Sequence, residues 1–182
     1  MKVEKTNFPG VLIIEPKIFK DERGYFYECW QQTRYLTAGL REIFVQDNSS
    51  LSSNGVLRGL HFQITHPLGQ LIWVTEGKIF DVGVDLRVNS PTFKQWLTME
   101  LDAEYPKQIY LPPGFAHGFC VLSTQAAVHY KCTDYYYPED ESGLLWNDLP
   151  INWPISCPII SNKDQKFLTI EELINKNKLP IL

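Results

Sequence analysis

The sequence predicts a mainly β fold, an antiparallel jelly roll or a closed double sheet. Between residues 55 and 136, short apolar segments are separated by turn signals roughly every 8–12 residues, the spacing expected of a sandwich or barrel. The helix candidates are few and short, so the strands do not alternate with helices as they would in a fold built from βαβ units. An antiparallel double sheet therefore fits the pattern best.

The length and composition predict one domain, residues 1–182. Apolar residues make up 44% of the 182, enough for a sizeable core. A net charge of −4 with no basic stripe gives little support for nucleic-acid binding. No segment approaches the roughly 20 apolar residues of a membrane span, and the N-terminus lacks the apolar core of a signal peptide. Four cysteines without a C-x-x-C pair predict reduced thiols and a cytoplasmic location.

The N-terminal third is predicted to contain short strands, a turn and one helix. The predicted strands are residues 11–14, 17–19 and 25–30. Charged residues and a glycine at 21–24 indicate a turn before the third of them. Residues 31–41 are a weakly amphipathic helix candidate. A further strand begins at Phe44 and is expected to end in a polar turn at 47–50.

The central region is predicted to be strand after strand. The predicted strands are residues 56–63, 70–75, 78–88, 95–101, 108–111, 119–122 and 127–135. In the third of these, apolar residues alternate with Asp81, Gly83 and Asp85, which predicts one buried and one solvated face. Residues 137–182 are expected to be loop-rich, with a C-terminal helix after Thr169, where Glu172 three positions later completes a capping-box pattern.

Two polar side chains, Arg58 and His61, lie within the apolar stretch 55–70. In a regular strand they would point to opposite faces, because successive side chains alternate. Gly59 lies between them and tolerates a bulge or kink that would break this regularity. Buried polar groups need partners. By itself, this pattern leaves open a structural histidine and a paired arginine.

Eight short motifs follow one another between about residue 4 and about residue 165. They are DERGYFYE (21–28), QDN (46–48), GVLRGLHFQ (55–63), DVGVDLR (81–87), SPTF (90–93), PGFAHGF (113–119), YKCTDYY (130–136) and WND (146–148). In this order they resemble the dTDP-4-dehydrorhamnose 3,5-epimerase family. The resemblance implies a cupin-type jelly roll and a homodimer with exchanged N-terminal strands. It also implies epimerisation of a nucleotide-linked 4-keto sugar for surface or capsular polysaccharide, without metal or organic cofactor.

The implied chemistry suits the residue types. A hydrogen next to a ketone is weakly acidic, and a histidine has a pKa suited to removing it. Returning the proton to the opposite face of the ring requires a second group, which a tyrosine can supply. The intermediate enolate oxygen requires positive charge or hydrogen-bond donors. By the resemblance, His61 is the base, Asp164 is the carboxylate that orients it, and Tyr130 is the acid.

The resemblance also implies a set of substrate contacts. Positions that match contacts to the nucleotide diphosphate and the sugar are Arg23, Glu28, Gln46, Asn48, Arg58 and His117. Tyr136 matches an aromatic side chain that stacks on the base, while Glu141 and Lys163 match further binding positions. The planar fork of an arginine suits phosphate oxygens.

Three positions depart from the family pattern. Gln70 occupies the place of a lysine near the 4-keto oxygen, Trp73 that of an arginine, and Ser49 that of a histidine. A neutral amide near the enolate favours a different substrate, or epimerisation confined to C3. The sequence thus leaves open a C3-only epimerase and a relative acting on a GDP-linked 4-keto heptose or hexose. A metal-dependent cupin and a non-catalytic sugar-nucleotide binding module are the remaining alternatives.

Overall fold

Two antiparallel β-sheets packed face to face form the body of the structure, a computed structural model that describes residues 1–182. The six-stranded sheet has the order β1 (Lys2–Lys5), β2 (Leu12–Glu15), β10 (Gln108–Leu111), β7 (Gln70–Glu76), β12 (Gln125–Cys132) and β5 (Gln46–Ser53). The five-stranded sheet has the order β13 (Glu141–Gly143), β6 (Leu57–Gln63), β11 (Phe115–Val121), β8 (Lys78–Asp85) and β9 (Trp96–Asp102). The predicted cupin-type jelly roll is confirmed.

The remaining elements are short. Strands β3 (Ile18–Asp21) and β4 (Gly24–Tyr27) form a separate two-stranded hairpin. The helices are α1 (Gln32–Thr37) and α2 (Ile170–Asn175), with a 3-10 turn at Asp164–Lys166. The capping box predicted at the start of α2 is present, since the Thr169 hydroxyl accepts from the Glu172 amide and the Glu172 carboxylate accepts from the Thr169 amide. No helix is both long enough and apolar enough to cross a membrane.

Separate segments cover parts of the outer sides of both sheets. An inner cluster that includes Ile72, Val128 and Phe119 fills the space between the sheets. The outer side of the five-stranded sheet packs against the C-terminal segment and α2, and that of the six-stranded sheet packs against α1 and its flanking loops. Burying each large apolar side chain contributes roughly 1.5–3 kcal/mol.

The expectation that β8 has one solvated face is wrong. Asp81 and Asp85 are as buried as the valines between them. The valines pack against the C-terminal segment on the outer side of the sheet, and the side that the alternation assigned to solvent faces the opposite sheet, where a Cβ on Gly83 would lie 2.8 Å from Leu111. Asp85 accepts two hydrogen bonds from the Arg87 guanidinium, at 2.8 and 2.7 Å, and one from the Thr92 hydroxyl at 2.6 Å. The motif at 85–92 therefore forms a polar turn around the buried Asp85 carboxylate, which stabilises the fold.

The polar turn predicted at 47–50 is also wrong, because these residues lie inside β5. They pair continuously with β12, from Gln46 opposite Cys132 to Ser53 opposite Gln125. Their polarity has a different cause, since one face of this edge strand lines a cavity and the other meets solvent. The sequence analysis also missed β1 and β13, and it began β11 four residues too late.

Candidate active site

A cavity of about 310 Å³ opens between the inner faces of the two sheets. Its volume is at the lower end of the range typical of small-molecule sites, roughly 300–1,000 Å³. Nine of the thirteen side chains predicted for the site line it: Gln46, Asn48, Arg58, His61, Gln70, His117, Tyr130, Tyr136 and Glu141. The structure therefore brings together residues that are up to 95 positions apart, from Gln46 to Glu141.

Arg58 and His61 both line this cavity, because β6 does not alternate regularly. Gly59 has a φ of +114°, a conformation that side chains other than glycine rarely adopt. The register between β6 and β11 shifts at this level, and a Cβ on Gly59 would lie only 2.6 Å from the Cα of Gly118. The structure therefore shows the kink at Gly59 that the sequence permitted, and it does not show the regular strand in which Arg58 and His61 would point to opposite faces.

His61 is paired with a buried carboxylate. Its Nε2 lies 3.1 Å from Oδ1 of Asp164, whose side chain is only 4% exposed, while Oδ2 accepts the Gly59 amide at 3.0 Å. Burial raises the pKa of Asp164, but hydrogen bonds from His61 and Gly59 outweigh it and hold the pKa below its usual range. The carboxylate stays charged and can stabilise a protonated imidazole. Nδ1 of His61 has no partner within the protein and remains available to a ligand.

Tyr130 lies on β12, in the sheet opposite His61, and its hydroxyl has no hydrogen-bond partner within the protein. Burial raises its pKa, and the nearby Cys132 and Glu141 act in the same direction against the lowering effect of Arg58. The phenol therefore carries its proton at neutral pH. It can donate that proton to a group held between the two sheets.

A second histidine–carboxylate pair lines the cavity at its inner wall. Nε2 of His117 lies 2.8 Å from Oδ2 of Asp81, and both side chains are buried. Oδ1 of Asp81 is buried without a partner. The sequence analysis missed Asp81 because it assigned that residue to a solvated face. Its position inside an apolar strand was the available signal, since a buried carboxylate needs a partner.

Neutral polar groups form the wall made by β5, β12 and β7. Nε2 of Gln46 donates to Oδ1 of Asn48 at 3.0 Å, and Nδ2 of Asn48 donates to Sγ of Cys132 at 3.5 Å. Gln70 is the cross-strand neighbour of Cys132 on the other side. Burial raises the pKa of the Cys132 thiol to about 11, so it stays protonated. This wall offers hydrogen bonds but no charge.

Of the three departures from the family pattern, only Gln70 faces the cavity. Trp73 points to the outer side of its sheet, where its ring stacks on His129 with centroids 5.9 Å apart. Ser49 points outward and is exposed. The next residue, Ser50, lines the cavity with a buried hydroxyl that has no partner, which the sequence analysis missed because it placed a turn there.

A hydrogen-bonded group of side chains forms the rim. The Tyr136 hydroxyl donates to Oε2 of Glu141 at 2.7 Å, and Lys163 contacts both oxygens of that carboxylate at 2.9 Å. The hydrogen bond to Glu141 raises the pKa of Tyr136 to about 12. Lys163 does not line the cavity itself, so within this chain it acts on the site through Glu141.

The structure does not bring Arg23 and Glu28 into the site. Arg23 lies in the turn between β3 and β4 and is paired with Asp21, while Glu28 is paired with Arg34. Neither lines the cavity of its own chain. The sequence analysis expected both to contact the substrate, and the reason for the difference is that the hairpin stands apart from the two sheets.

No group of three or more His, Cys, Asp or Glu side chains converges on a point where it could hold a metal ion. Each cavity histidine has instead one carboxylate partner.

Comparison with known proteins shows which family and which solved structures this chain is similar to. The family model described as dTDP-4-dehydrorhamnose 3,5-epimerase matches residues 5–172. A Shigella flexneri protein of that name is 48% identical over 181 residues, covering 96% of this chain and 100% of the relative. The crystal structure of a Legionella pneumophila Philadelphia 1 3,5-epimerase in complex with dTDP-4-keto-L-rhamnose superposes with a TM-score of 0.94 at 46% identity, covering 100% of this chain and 98% of that one. A Streptomyces niveus protein named dTDP-4-dehydrorhamnose 3-epimerase is 37% identical, covering 99% of this chain and 89% of the relative.

Proposed function

Because this chain belongs to the dTDP-4-dehydrorhamnose 3,5-epimerase family and is an isomerase, we propose that it inverts both C3 and C5 of a dTDP-linked 4-keto-6-deoxyhexose. The observation that carries the proposal is the placement of two proton-transfer groups on opposite sheets of one cavity. His61, paired with Asp164, lies on β6, and Tyr130 lies on β12. A sugar ring bound between the sheets presents one face to each group.

The proposed reaction is a deprotonation followed by a reprotonation. His61 removes the hydrogen next to the ketone, and the charge on Asp164 stabilises the imidazolium that forms. Tyr130 then donates its proton to the same carbon from the opposite face, which inverts it. Positioned acids and bases of this kind contribute typically 10²–10⁴-fold each to the rate. The cycle closes when the proton on His61 is returned through solvent to the phenolate.

The enolate oxygen requires donors near the ketone. Arg58 is the candidate for a charged donor, since its Nε is held by the Ser52 hydroxyl at 2.9 Å and its terminal nitrogens have no partner in the protein. Gln70 and the unpartnered Ser50 hydroxyl offer neutral donors. A charge-assisted hydrogen bond is roughly twice as strong as a neutral one. We therefore assign the larger share of enolate stabilisation to Arg58.

We propose that the active enzyme is a homodimer in which each hairpin completes the partner's site. Strands β3 and β4 expose Phe19, Tyr25 and Phe26, and Phe26 is 68% exposed. Apolar surface of this kind on a projecting element is typical of an interaction site. An exchanged hairpin would carry Arg23 and Glu28 to the partner's cavity, where an arginine fork suits a diphosphate.

The free state of all four cysteines supports a cytoplasmic location.

Proton exchange with solvent tests the proposed function. The protein is incubated in D₂O with dTDP-4-keto-6-deoxyglucose and, separately, with GDP-linked 4-keto sugars, and the products are examined by NMR. Deuterium at both C3 and C5 of the dTDP sugar, with little exchange in the GDP sugars, is the expected result. Binding of dTDP sugars without any exchange would instead identify a non-catalytic binding module.

Epimerisation at C3 alone is the second candidate, and the residue at position 70 favours it. Gln70 faces the cavity and brings no charge, so enolate formation at the less acidic carbon loses some of its stabilisation. The Streptomyces niveus relative carries the name of a 3-epimerase. In the same NMR experiment this candidate predicts deuterium at C3 and none at C5.

A further inference from the structure

Gln63 lines the cavity, but its amide group contacts the backbone of two loops, the one that follows β12 and the one that follows β6. Its Nε2 donates to the carbonyl of Tyr135 at 3.2 Å and to that of His66 at 2.7 Å. Its Oε1 accepts the amide of Tyr137 at 2.7 Å. The residue is only 3% exposed. Because the side chain is buried, removing any of these three hydrogen bonds would leave a polar group unpaired. The free-energy cost of such a loss is larger than for a hydrogen bond exposed to water.

The two peptide groups that Gln63 contacts on the loop that follows β12 flank Tyr136 on either side. The amide of Tyr136 itself is held by Oε1 of Gln46 at 3.0 Å, and its hydroxyl is held by Glu141 at 2.7 Å. Glu141 is also the cross-strand neighbour of Gln63. The backbone on both sides of the ring and the ring's far end are thus fixed by side chains from three different strands.

Among the common side chains, a primary amide of this length suits the position best. It supplies two donors for the two carbonyls and an acceptor for the amide, which a carboxylate or a lysine does not. Gln63 also lies on the same strand as His61, two residues further along and on the same face. At a rise of about 3.3 Å per residue, their backbones are about 6.6 Å apart.

We propose that Gln63 is a positioning residue that holds the Tyr136 ring at a fixed distance from His61, so that a nucleotide stacked on Tyr136 presents its sugar to the His61 imidazole. This inference rests on the proposed function, because it requires Tyr136 to stack on the nucleotide. Gln63 itself acts through the backbone around Tyr136 and does not touch the reacting atoms. Its loss therefore weakens nucleotide binding through Tyr136.

The test is a double-mutant cycle on nucleotide affinity. Gln63→Met keeps the length of the side chain and removes all three hydrogen bonds. We expect it to weaken dTDP binding about 5- to 50-fold, as measured by calorimetry, because three contacts of modest individual strength are lost. In a Tyr136→Ala background the same change should weaken binding less than about twofold, because the ring it positions is gone. In the epimerase assay, KM should rise more than kcat falls.

A second variant keeps the inference testable if Gln63→Met folds poorly. Gln63→Glu has the same shape, but at neutral pH its carboxylate opposes two carbonyl oxygens. Protonation restores one donor, so the affinity of this variant relative to the native protein should recover as the pH falls. Gln125→Met is the matched control, since Gln125 is an exposed glutamine on β12 whose amide contacts only Glu76. It should bind dTDP as the native protein does.

The results separate this inference from the proposed function. Native-like affinity in both Gln63 variants, or an equal loss with and without the Tyr136 ring, overturns the positioning role and leaves the epimerase proposal standing. If the native protein binds dTDP and Tyr136→Ala does not weaken that binding, the stacking role fails and this inference fails with it. A native protein that binds no nucleotide overturns both proposals.

Discussion

His61 and Tyr130 face one another across the cavity from different sheets of the jelly roll. His61 lies on β6 of the five-stranded sheet, and Tyr130 lies on β12 of the six-stranded sheet. A single sheet could not arrange them in this way, because side chains from one face all approach a ligand from the same side. The separation between the sheets therefore gives the site a base on one side and an acid on the other.

Replacing His61 with Asn should abolish deuterium incorporation at every exchanging carbon, because the amide cannot accept the proton. Nucleotide affinity should remain within about threefold of the native value, since the His61 side chain contacts only the sugar of the substrate. The measurements are NMR in D₂O and dTDP calorimetry. Substantial exchange in this variant would show that another group removes the proton.

Tyr130→Phe removes one hydroxyl and should separate exchange from inversion. His61 can still remove a proton and return it to the same face. Deuterium exchange at the carbon that His61 deprotonates first should therefore survive better than net inversion. We expect inversion to fall roughly 10²–10⁴-fold, the usual contribution of a positioned acid. Full inversion in the phenylalanine variant would assign the role of acid to water or to another side chain.

Asp164→Asn should change the rate of the proposed epimerisation. It should also change how the stability of the protein depends on pH. The pKa of Asp164 is lower in the folded protein than in the unfolded chain, so the stability it contributes is present above about pH 3.9. That contribution is lost as the pH falls through the lower, folded-state value. Thermal unfolding between pH 7 and 2 should therefore show a deficit in the variant of about 1–3 kcal/mol at neutral pH, shrinking in acid. A deficit that is constant across this range would mean that the charge of Asp164 does not contribute.

Gln70→Lys tests whether the neutral wall selects the carbon. A charged donor in place of the amide should stabilise the enolate by about 1–2 kcal/mol, which corresponds to roughly tenfold in rate. If Gln70 limits the reaction, deuterium uptake at C5 should rise relative to C3. An unchanged C5 to C3 ratio, with rapid exchange at both carbons in the native protein, would show that position 70 imposes no such limit.

The exchanged hairpin predicts complementation between two inactive variants. His61→Asn lacks the catalytic base, and Arg23→Ala lacks a contact carried by the hairpin, so each alone should have little activity. After dissociation and reassociation of an equal mixture, a hybrid dimer contains one intact site, and random pairing should restore roughly a quarter of the native activity. No recovery in a mixture shown to contain hybrid dimers would contradict a site shared between subunits.

Much of this architecture could be predicted from the chain alone. The spacing of short apolar segments by turn residues predicted the double sheet, because strand length and turn chemistry are local properties. The motif around Gly59 also indicated a kink, since only glycine easily adopts its backbone conformation. Residues such as His61, Tyr130 and Asp164 were identified by motif resemblance, which requires no knowledge of their distances.

Only the tertiary structure decided which of these residues meet. The alternation in β8 was periodic enough to predict a solvated face, yet Asp81 is buried there and pairs with His117, because that side faces the opposite sheet. Gln70 and Trp73 looked equally important in sequence, but strand alternation and the packing of α1 placed Trp73 on the outer surface of the sheet. Local sequence determines which elements form. The partners of their side chains depend on what packs against each face, and those contacts come from residues far away in the chain.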